Sequence, residues 1–234
     1  MRQIFLDTET TGLDPAQGHR IIEVAAVEVV NRRSTGNHYH RYINPDRDID
    51  AGAQAVHGIS IERLQGEPRF ADIAREFLDF IAGAELVIHN APFDIGFLNH
   101  ELGMLDLGRV ADVCDSVVDT LKMAKEQHPG QRNNLDALCR RYGVDNSNRT
   151  LHGALLDAEL LADVYMAMTR GQESLVMDIG LAPGAVEGRA FVRQAPLAII
   201  NASADEVQAH AEYLAGLDKA AGGVCVWRQF EEQP

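Results

Sequence analysis

The chain has 234 residues, 46% of them hydrophobic, and a formal net charge of −14 at pH 7. This length allows one well-buried domain and an additional segment, and no apolar run is long enough to cross a bilayer. Proteins that hold nucleic acid by general electrostatics are usually basic, so the charge argues against that class, although an enzyme that uses metal ions or a partner stays possible. Three separated cysteines without a CxxC pair and an N-terminus unlike a signal peptide predict a reducing, cytoplasmic location.

The first two thirds of the chain predict a sheet that opens with strands and then alternates strands with helices. Apolar runs at 3–6, 21–30 and 38–44 predict an antiparallel meander, and the run at 84–90 predicts a buried strand. Helices are predicted at 70–82, 92–102, 116–127, 134–142 and 153–169. This order of elements predicts an α/β fold with a mixed central sheet flanked by helices.

The character of the sequence changes after Thr169. Residues 171–190 contain four glycines and one proline with little periodicity, which is typical of a linker. A strand is predicted at 196–203, then a helix to about residue 221 behind the capping-box pattern that starts at Ser203, and a last strand at 224–230.

The C-terminal piece is short for independent folding, because about 44 residues without a disulfide rarely bury enough surface. We therefore expect it to become ordered on a partner. The predicted organisation is a domain over 1–170, a flexible linker over 171–190 and a partner-binding segment over 191–234.

Two carboxylates follow the first strand. Asp7 and Glu9 in FLDTETTGL are two residues apart, so their side chains leave the same face of a strand. Side by side they repel one another unless a cation lies between them, and oxygen ligands suit magnesium or manganese. The pair alone would equally fit the exposed end of a surface strand.

Two further acids lie on apolar helical stripes. Asp94 in HNAPFDIGF shares its face with Phe97 and Leu98, and Asp157 in LHGALLDAELLADVY shares its face with Leu160 and Leu161. A carboxylate that points toward a core is costly unless something neutralises it. Asp94 taken alone would also fit the first helical turn, where the helix dipole favours an acid.

His152 lies five residues before Asp157, about 140° beyond one full turn, and so is predicted at the rim of the helix start. Its ordinary pKa near neutrality makes it a candidate general base, although a lone histidine at a helix start is more often an incidental surface residue. Together, four acids and one histidine from three segments predict two-metal hydrolysis of a phosphodiester, with Asp157 on a metal ion.

These segments resemble the three motifs of the DEDDh 3′–5′ exonucleases, in which the four acids and the histidine fall on Asp7, Glu9, Asp94, Asp157 and His152. The likeness is closest to the proofreading members of that family and covers nearly the whole chain. It implies a ribonuclease-H-like fold, two Mg²⁺ or Mn²⁺ ions on the four acids, and release of 5′-mononucleotides from single-stranded or frayed DNA 3′ ends.

The resemblance also implies residues that contact the terminal nucleotide. Besides Glu9 and Asp157, the substrate would contact the following side chains: Thr10, Leu13, Val56, His57 and Phe93. Relatives often carry an acid five residues before the VHGI histidine, near the 3′-hydroxyl, whereas this chain has Gly52.

The C-terminal part resembles a partner-binding tail. In GQESLVM, Gln172, Leu175 and Met177 match a sliding-clamp peptide, a loose pattern that a flexible linker would also show. Leu197 and Trp227 are predicted anchors for a polymerase catalytic subunit, although Trp227 would equally pack within the tail. A further small subunit is another implied partner.

Two other functions remain open at this point. A related RNA exonuclease would use the same five residues, and the C-terminal piece favours the DNA enzyme. A non-catalytic scaffold between clamp and polymerase is the alternative outside enzymes, and the complete set of five residues argues against it.

Overall fold

The computed structural model describes residues 1–147, 149, 151–170, 202–225 and 227. Contacts within the chain divide it into two compact units, Met1–Ile179 and Gly180–Pro234, and each is described by itself. The predicted linker at 171–190 and residues 196–201 of the strand predicted at 196–203 lie outside the described residues. Among the helices that the structure describes, none is both long and apolar enough to cross a membrane.

The first unit is built on a five-stranded mixed sheet in the order β3-β2-β1-β4-β5. The strands are β1 (Arg2–Thr10), β2 (Ile21–Val30), β3 (Arg33–Tyr42), β4 (Glu85–Ile88) and β5 (Ser116–Asp119). The first three pair antiparallel, and β4 lies parallel to both β1 and β5. The predicted meander and mixed sheet are therefore confirmed.

The structure describes seven α-helices in this unit. They are α1 (Ala51–His57), α2 (Ile61–Leu64), α3 (Phe70–Ile81), α4 (Ala91–Gly103), α5 (Thr120–Gln127), α6 (Leu135–Tyr142) and α7 (Ala154–Met168). Since side chains alternate along β1, Ile4 and Leu6 pack with α3 and α4 on one face, whereas Phe5 packs with α6 and α7 on the other. The sheet is thus covered on both faces, and β1 is buried between the layers.

Two local predictions in this unit were wrong, and two short helices were not predicted. β1 continues to Thr10 instead of stopping before Asp7, because β2 pairs with it along nearly its whole length. Residues 116–119 form the edge strand β5, and only 120–127 of the predicted helix are helical. The helices α1 and α2 were not predicted, because their short segments show no helical spacing of apolar residues.

The described part of the second unit is one helix, α8 (Ala204–Ala221). It begins with the predicted capping box, in which Ser203 and Glu206 exchange hydrogen bonds, and it ends at Gly222 with a left-handed backbone. Val224, Cys225 and Trp227, the described residues of the predicted last strand, are not in a strand.

Candidate active site

Asp7 and Glu9 lie at the carboxyl edge of the sheet. The last pair between β1 and its parallel neighbour β4 is Leu6 with Ile88, so both acids extend past the end of β4. Side chains alternate between the two faces along β1, so Asp7 and Glu9 lie on the same face as Phe5, which is the face that α7 covers. The loops at such a strand edge are where open α/β sheets form their sites.

Asp94 reaches the same edge from the opposite layer. It lies in the first turn of α4, which begins directly after β4, and it is buried. Its Oδ1 accepts hydrogen bonds from the Thr8 amide at 3.1 Å and the Thr8 hydroxyl at 2.7 Å. Thr8 stands between the two other acids of β1, so these bonds fix Asp94 against the strand that carries them.

Asp157 is buried in the stripe of apolar side chains that its spacing predicted. Its partner in this structure is the guanidinium of Arg149, whose Nε lies 2.5 Å from Oδ1 and whose Nη2 lies 2.7 Å from Oδ2. The predicted partner of Asp157 was a metal ion, and its contact with Arg149 was not predicted. The only signal for Arg149 was a lone basic residue three positions before His152.

His152 lies two residues before α7, at the rim, with 45% of its side chain exposed. Its Nδ1 lies 3.4 Å from Asp157 Oδ2 and 3.0 Å from Arg149 Nη2. Its backbone amide donates to the Val56 carbonyl at 3.2 Å, which ties the end of α1 to this segment. The predicted substrate segment around Val56 is thus held beside the predicted base.

Glu23 is a second residue that the sequence analysis missed. It pairs across the strands with Glu9, is buried, and accepts hydrogen bonds from His40 Nε2 at 2.7 Å and from the Ala154 amide at 3.2 Å. The second bond holds the first residue of α7 and so sets the position of Asp157. An acid near the start of the apolar run IIEVAAVEVV was the available signal.

The carboxylates of the site are short of positive charge. Burial, followed by repulsion from Asp94 and Glu9, raises the pKa of Asp7 well above its ordinary value. Burial and the charge of Asp157 raise the pKa of Glu9 to about 8, and burial raises the pKa of Asp94 to about 7. Burial and Arg149 lower the pKa of His152, which favours its neutral, basic form.

These donors fit a divalent cation. Ligating atoms of Glu9, His152 and Asp157 all lie within 4.8 Å of one another, and Asp7 and Asp94 add two buried carboxylates to the same region. Buried carboxylates with raised pKa values gain most from a cation, and oxygen-rich donor sets are those that magnesium, manganese and calcium favour.

The site opens into a cavity of about 430 Å³. Its described lining residues include all five predicted catalytic side chains, and Arg149 is the only lysine or arginine among them. Leu13 and Phe93 of the predicted substrate residues also line it. Thr10, Val56 and His57 do not, although Val56 is held close to it through His152.

His57 is placed to donate a hydrogen bond. The ring is buried, and its Nδ1 accepts from the Ile59 amide at 3.0 Å, so the neutral ring carries its proton on Nε2. Within the described residues this Nε2 makes no hydrogen bond. At Gly52, a Cβ would meet no atom within 4 Å, so the position offers open space instead of a carboxylate.

The structure describes one of the five predicted partner-binding residues. Gln172, Leu175, Met177 and Leu197 lie outside the described residues. Trp227 is described, and 67% of it is exposed.

Comparison with known proteins is consistent with this site. Residues 4–165 match the family model described as Exonuclease. The chain is 51% identical to the DNA polymerase III subunit epsilon of Pasteurella multocida, over 97% of this chain and 94% of that protein. Among solved structures, it is similar to an exonuclease X bound to 5′-overhanging duplex DNA, with 25% identity, a TM-score of 0.56 and coverage of 71% of this chain and 90% of that one. It also resembles the nuclease domain of 3′hExo, a DEDDh family member bound to rAMP, with 18% identity, a TM-score of 0.61 and the same coverages.

Proposed function

The chain belongs to the exonuclease family, among the DNA polymerase III epsilon subunits, and from this premise we propose how its residues perform 3′–5′ proofreading. The observation that supports the proposal best is the convergence of four carboxylates from three segments on one cavity whose described lining contains one arginine and no lysine. The family depends on divalent metal. We assign Asp7, Glu9, Asp94 and Asp157 to two ions, Mg²⁺ or Mn²⁺, which would stabilise the attacking and leaving oxygens of the phosphodiester.

His152 is the proposed general base. A water molecule attacks the phosphorus of the terminal nucleotide, the bond from phosphorus to the preceding O3′ breaks, and that oxygen takes up a proton. His152 accepts the proton that the water loses, and its lowered pKa keeps it free to do so at neutral pH. The products are a 5′-mononucleotide and a strand shortened by one residue with a 3′-hydroxyl.

The terminal nucleotide is proposed to lie between the loop after β1 and the end of α1. Leu13 is 84% exposed and Phe93 lines the cavity wall, so both offer apolar surface to a base or sugar. Thr10 and Val56 are proposed to contact the nucleotide as well, and the Nε2 of His57 is a buried donor that a nucleotide oxygen would satisfy. Any contact at Gly52 would come from the main chain.

The remaining partners are proposals of the same kind. The relationship to epsilon subunits implies association with the polymerase, for which we propose the segment 191–234 with Leu197 and Trp227. The linker 171–190 would present Gln172, Leu175 and Met177 to a sliding clamp. A further small core subunit completes the proposed assembly.

The test is nucleotide release from a 3′-mismatched DNA primer with magnesium, with manganese and with a chelator. We expect release only with metal, and at least about a 100-fold loss in Asp157→Asn, because the ligand charge is removed. Asp163→Asn is the matched control, since Asp163 is an exposed acid on the same helix α7.

Three results would contradict the assignment. They are unchanged hydrolysis by Asp7→Ala, equal losses in the two α7 variants, and faster hydrolysis of a matched RNA oligonucleotide than of DNA. The last result would point to an RNA exonuclease.

A further inference from the structure

Arg149 is buried in the middle of the candidate site. Only 6% of its side chain is exposed, and its three nitrogens all contact groups that line the cavity. Nε and Nη2 bind the two oxygens of Asp157, Nη2 also lies 3.0 Å from His152 Nδ1, and Nη1 lies 2.7 Å from Asp136 Oδ1. Arg149 therefore contacts both a proposed metal ligand and the proposed base.

This position conflicts with bound metal. A divalent ion on Asp157 would lie about 2.0–2.6 Å from a carboxylate oxygen, and the guanidinium nitrogens already lie 2.5 and 2.7 Å from both oxygens. Two cations would then share one carboxylate in a buried site, where their repulsion is weakly screened. Nη2 also donates toward His152 Nδ1, so that nitrogen cannot accept a proton from water in this arrangement.

Asp136 offers Arg149 a second position. It lies on α6 at the wall of the cavity, its side chain is 41% exposed, and Asn146 Nδ2 holds the same Oδ1 at 3.1 Å. If the bonds to Asp157 break, the bond to Asp136 still keeps the guanidinium at the cavity. A planar guanidinium there matches the oxygens of a phosphodiester, and the described lining offers no other lysine or arginine.

We infer that Arg149 is a displaceable counter-ion: it neutralises Asp157 while no divalent ion is bound, and it moves to the DNA phosphate when one binds. Metal and Arg149 then compete for Asp157, whereas metal and DNA favour each other's binding. This inference rests on the proposed function, since it concerns the same site.

The test measures binding without turnover. In Arg149→Met, which keeps the length of the aliphatic stem and loses the charge, we expect Mn²⁺ to bind at least about fivefold more tightly in the absence of DNA, because a competitor is gone. We expect a lower Tm in chelator, and weaker binding of a phosphorothioate single strand by the metal-loaded protein. Arg140→Met, at an exposed arginine on α6, is the matched control and changes none of the three.

Unchanged or weaker Mn²⁺ binding by Arg149→Met would overturn the competition, and unchanged DNA binding by the loaded variant would overturn the move to phosphate. If that variant does not fold, the Nε–Hε signal of Arg149 in the ¹⁵N-labelled wild-type chain decides. This proton should exchange slowly with solvent in chelator and faster after Mg²⁺ is added. Slow exchange under both conditions contradicts the inference. These binding measurements need no hydrolysis. A wild-type protein that shows the expected binding but does not hydrolyse DNA would therefore refute the proposed function and leave this inference intact.

Discussion

Glu9 illustrates how a single side chain can be costly for folding and useful for function. It is buried beside Asp157, Glu23 and Asp94, and these surroundings raise its pKa to about 8 from an ordinary value of 4.5. In the folded chain without metal, it therefore keeps a proton at pH values at which the unfolded chain has lost it. The free energy of unfolding must depend on pH for this reason.

The sign of that dependence can be worked out. Between pH 4.5 and about 8, the folded state holds more protons at Glu9 than the unfolded state does, so stability is full below this window and falls as pH rises through it. The raised pKa of Asp94, about 7, acts in the same direction. In chelator we therefore expect Tm to fall steadily from about pH 5 to about pH 8.

Thermal melts across this range, with and without saturating Mg²⁺, measure the effect. Metal binds the ionised carboxylates, so it should remove most of the decline. Glu9→Gln should flatten the curve in chelator, whereas Glu159→Gln, at an exposed position on α7, should leave it unchanged. A Tm in chelator that rises with pH would contradict the assigned charges.

At the scale of elements, the loop between β1 and β2 depends on one glycine. A Cβ at Gly12 would lie 2.3 Å from His19 Cε1. The His19 ring is buried, and its Nδ1 lies 3.1 Å from the Thr11 hydroxyl. The ring therefore cannot move aside without loss of that contact, and the loop is closed by side-chain packing across its two arms.

Gly12→Ala should therefore cost about 1–3 kcal/mol of stability, because overpacking forces the ring or the backbone to shift. Since Leu13 follows directly and lines the cavity, we also expect KM for a short DNA strand to rise more than kcat falls. Gly66→Ala is the control, since a Cβ there meets nothing within 4 Å. Urea unfolding and steady-state kinetics measure both effects, and equal stability of the two variants would show that the loop adapts.

Local sequence patterns predicted those elements that local forces define. The helices α3, α4 and α7 follow from apolar spacing, and α6 ends at a glycine, Gly143, whose backbone is left-handed. The second half of β1 could not be predicted, since its polar residues belong to the sheet only through pairing with β2. β5 has four residues, too few for a strand to be distinguished by periodicity from the start of α5.

The same division holds for the candidate site. A local signal, either a strand end or an apolar helical stripe, marked each of the four acids Asp7, Glu9, Asp94 and Asp157. The order of the three motifs along the chain then assigned them to one site. Glu23 acts through a partner that is distant in sequence, the amide of Ala154, 131 positions away. Arg149 is only eight positions from Asp157, but it precedes α7, so no helical spacing relates the two residues. No short-range pattern contains such a contact, so these residues emerge only from the folded chain.

At the scale of the whole molecule, a charge of −14 predicts that this chain binds DNA weakly on its own. An enzyme that digests DNA with such a surface needs another source of local concentration. In the proposed assembly, attachment to the polymerase through the segment 171–190 would supply it, since short flexible linkers give effective concentrations of about 1 mM. Catalysis in the first unit and attachment through the second unit would then be separate properties of one chain.

This separation can be measured. Addition of the polymerase catalytic subunit should raise kcat/KM on a long primer by at least about tenfold, because bound DNA is delivered to the site. It should leave kcat on saturating short single strands unchanged, because the chemistry lies within this chain. Trp227→Ala in the full chain should lose most of this increase in kcat/KM and keep kcat on short strands. Tyr213→Ala, at an exposed aromatic residue on α8, is the control and should keep both. An equal kcat/KM on the long primer with and without the polymerase subunit would show that attachment does not supply the affinity that the acidic surface lacks.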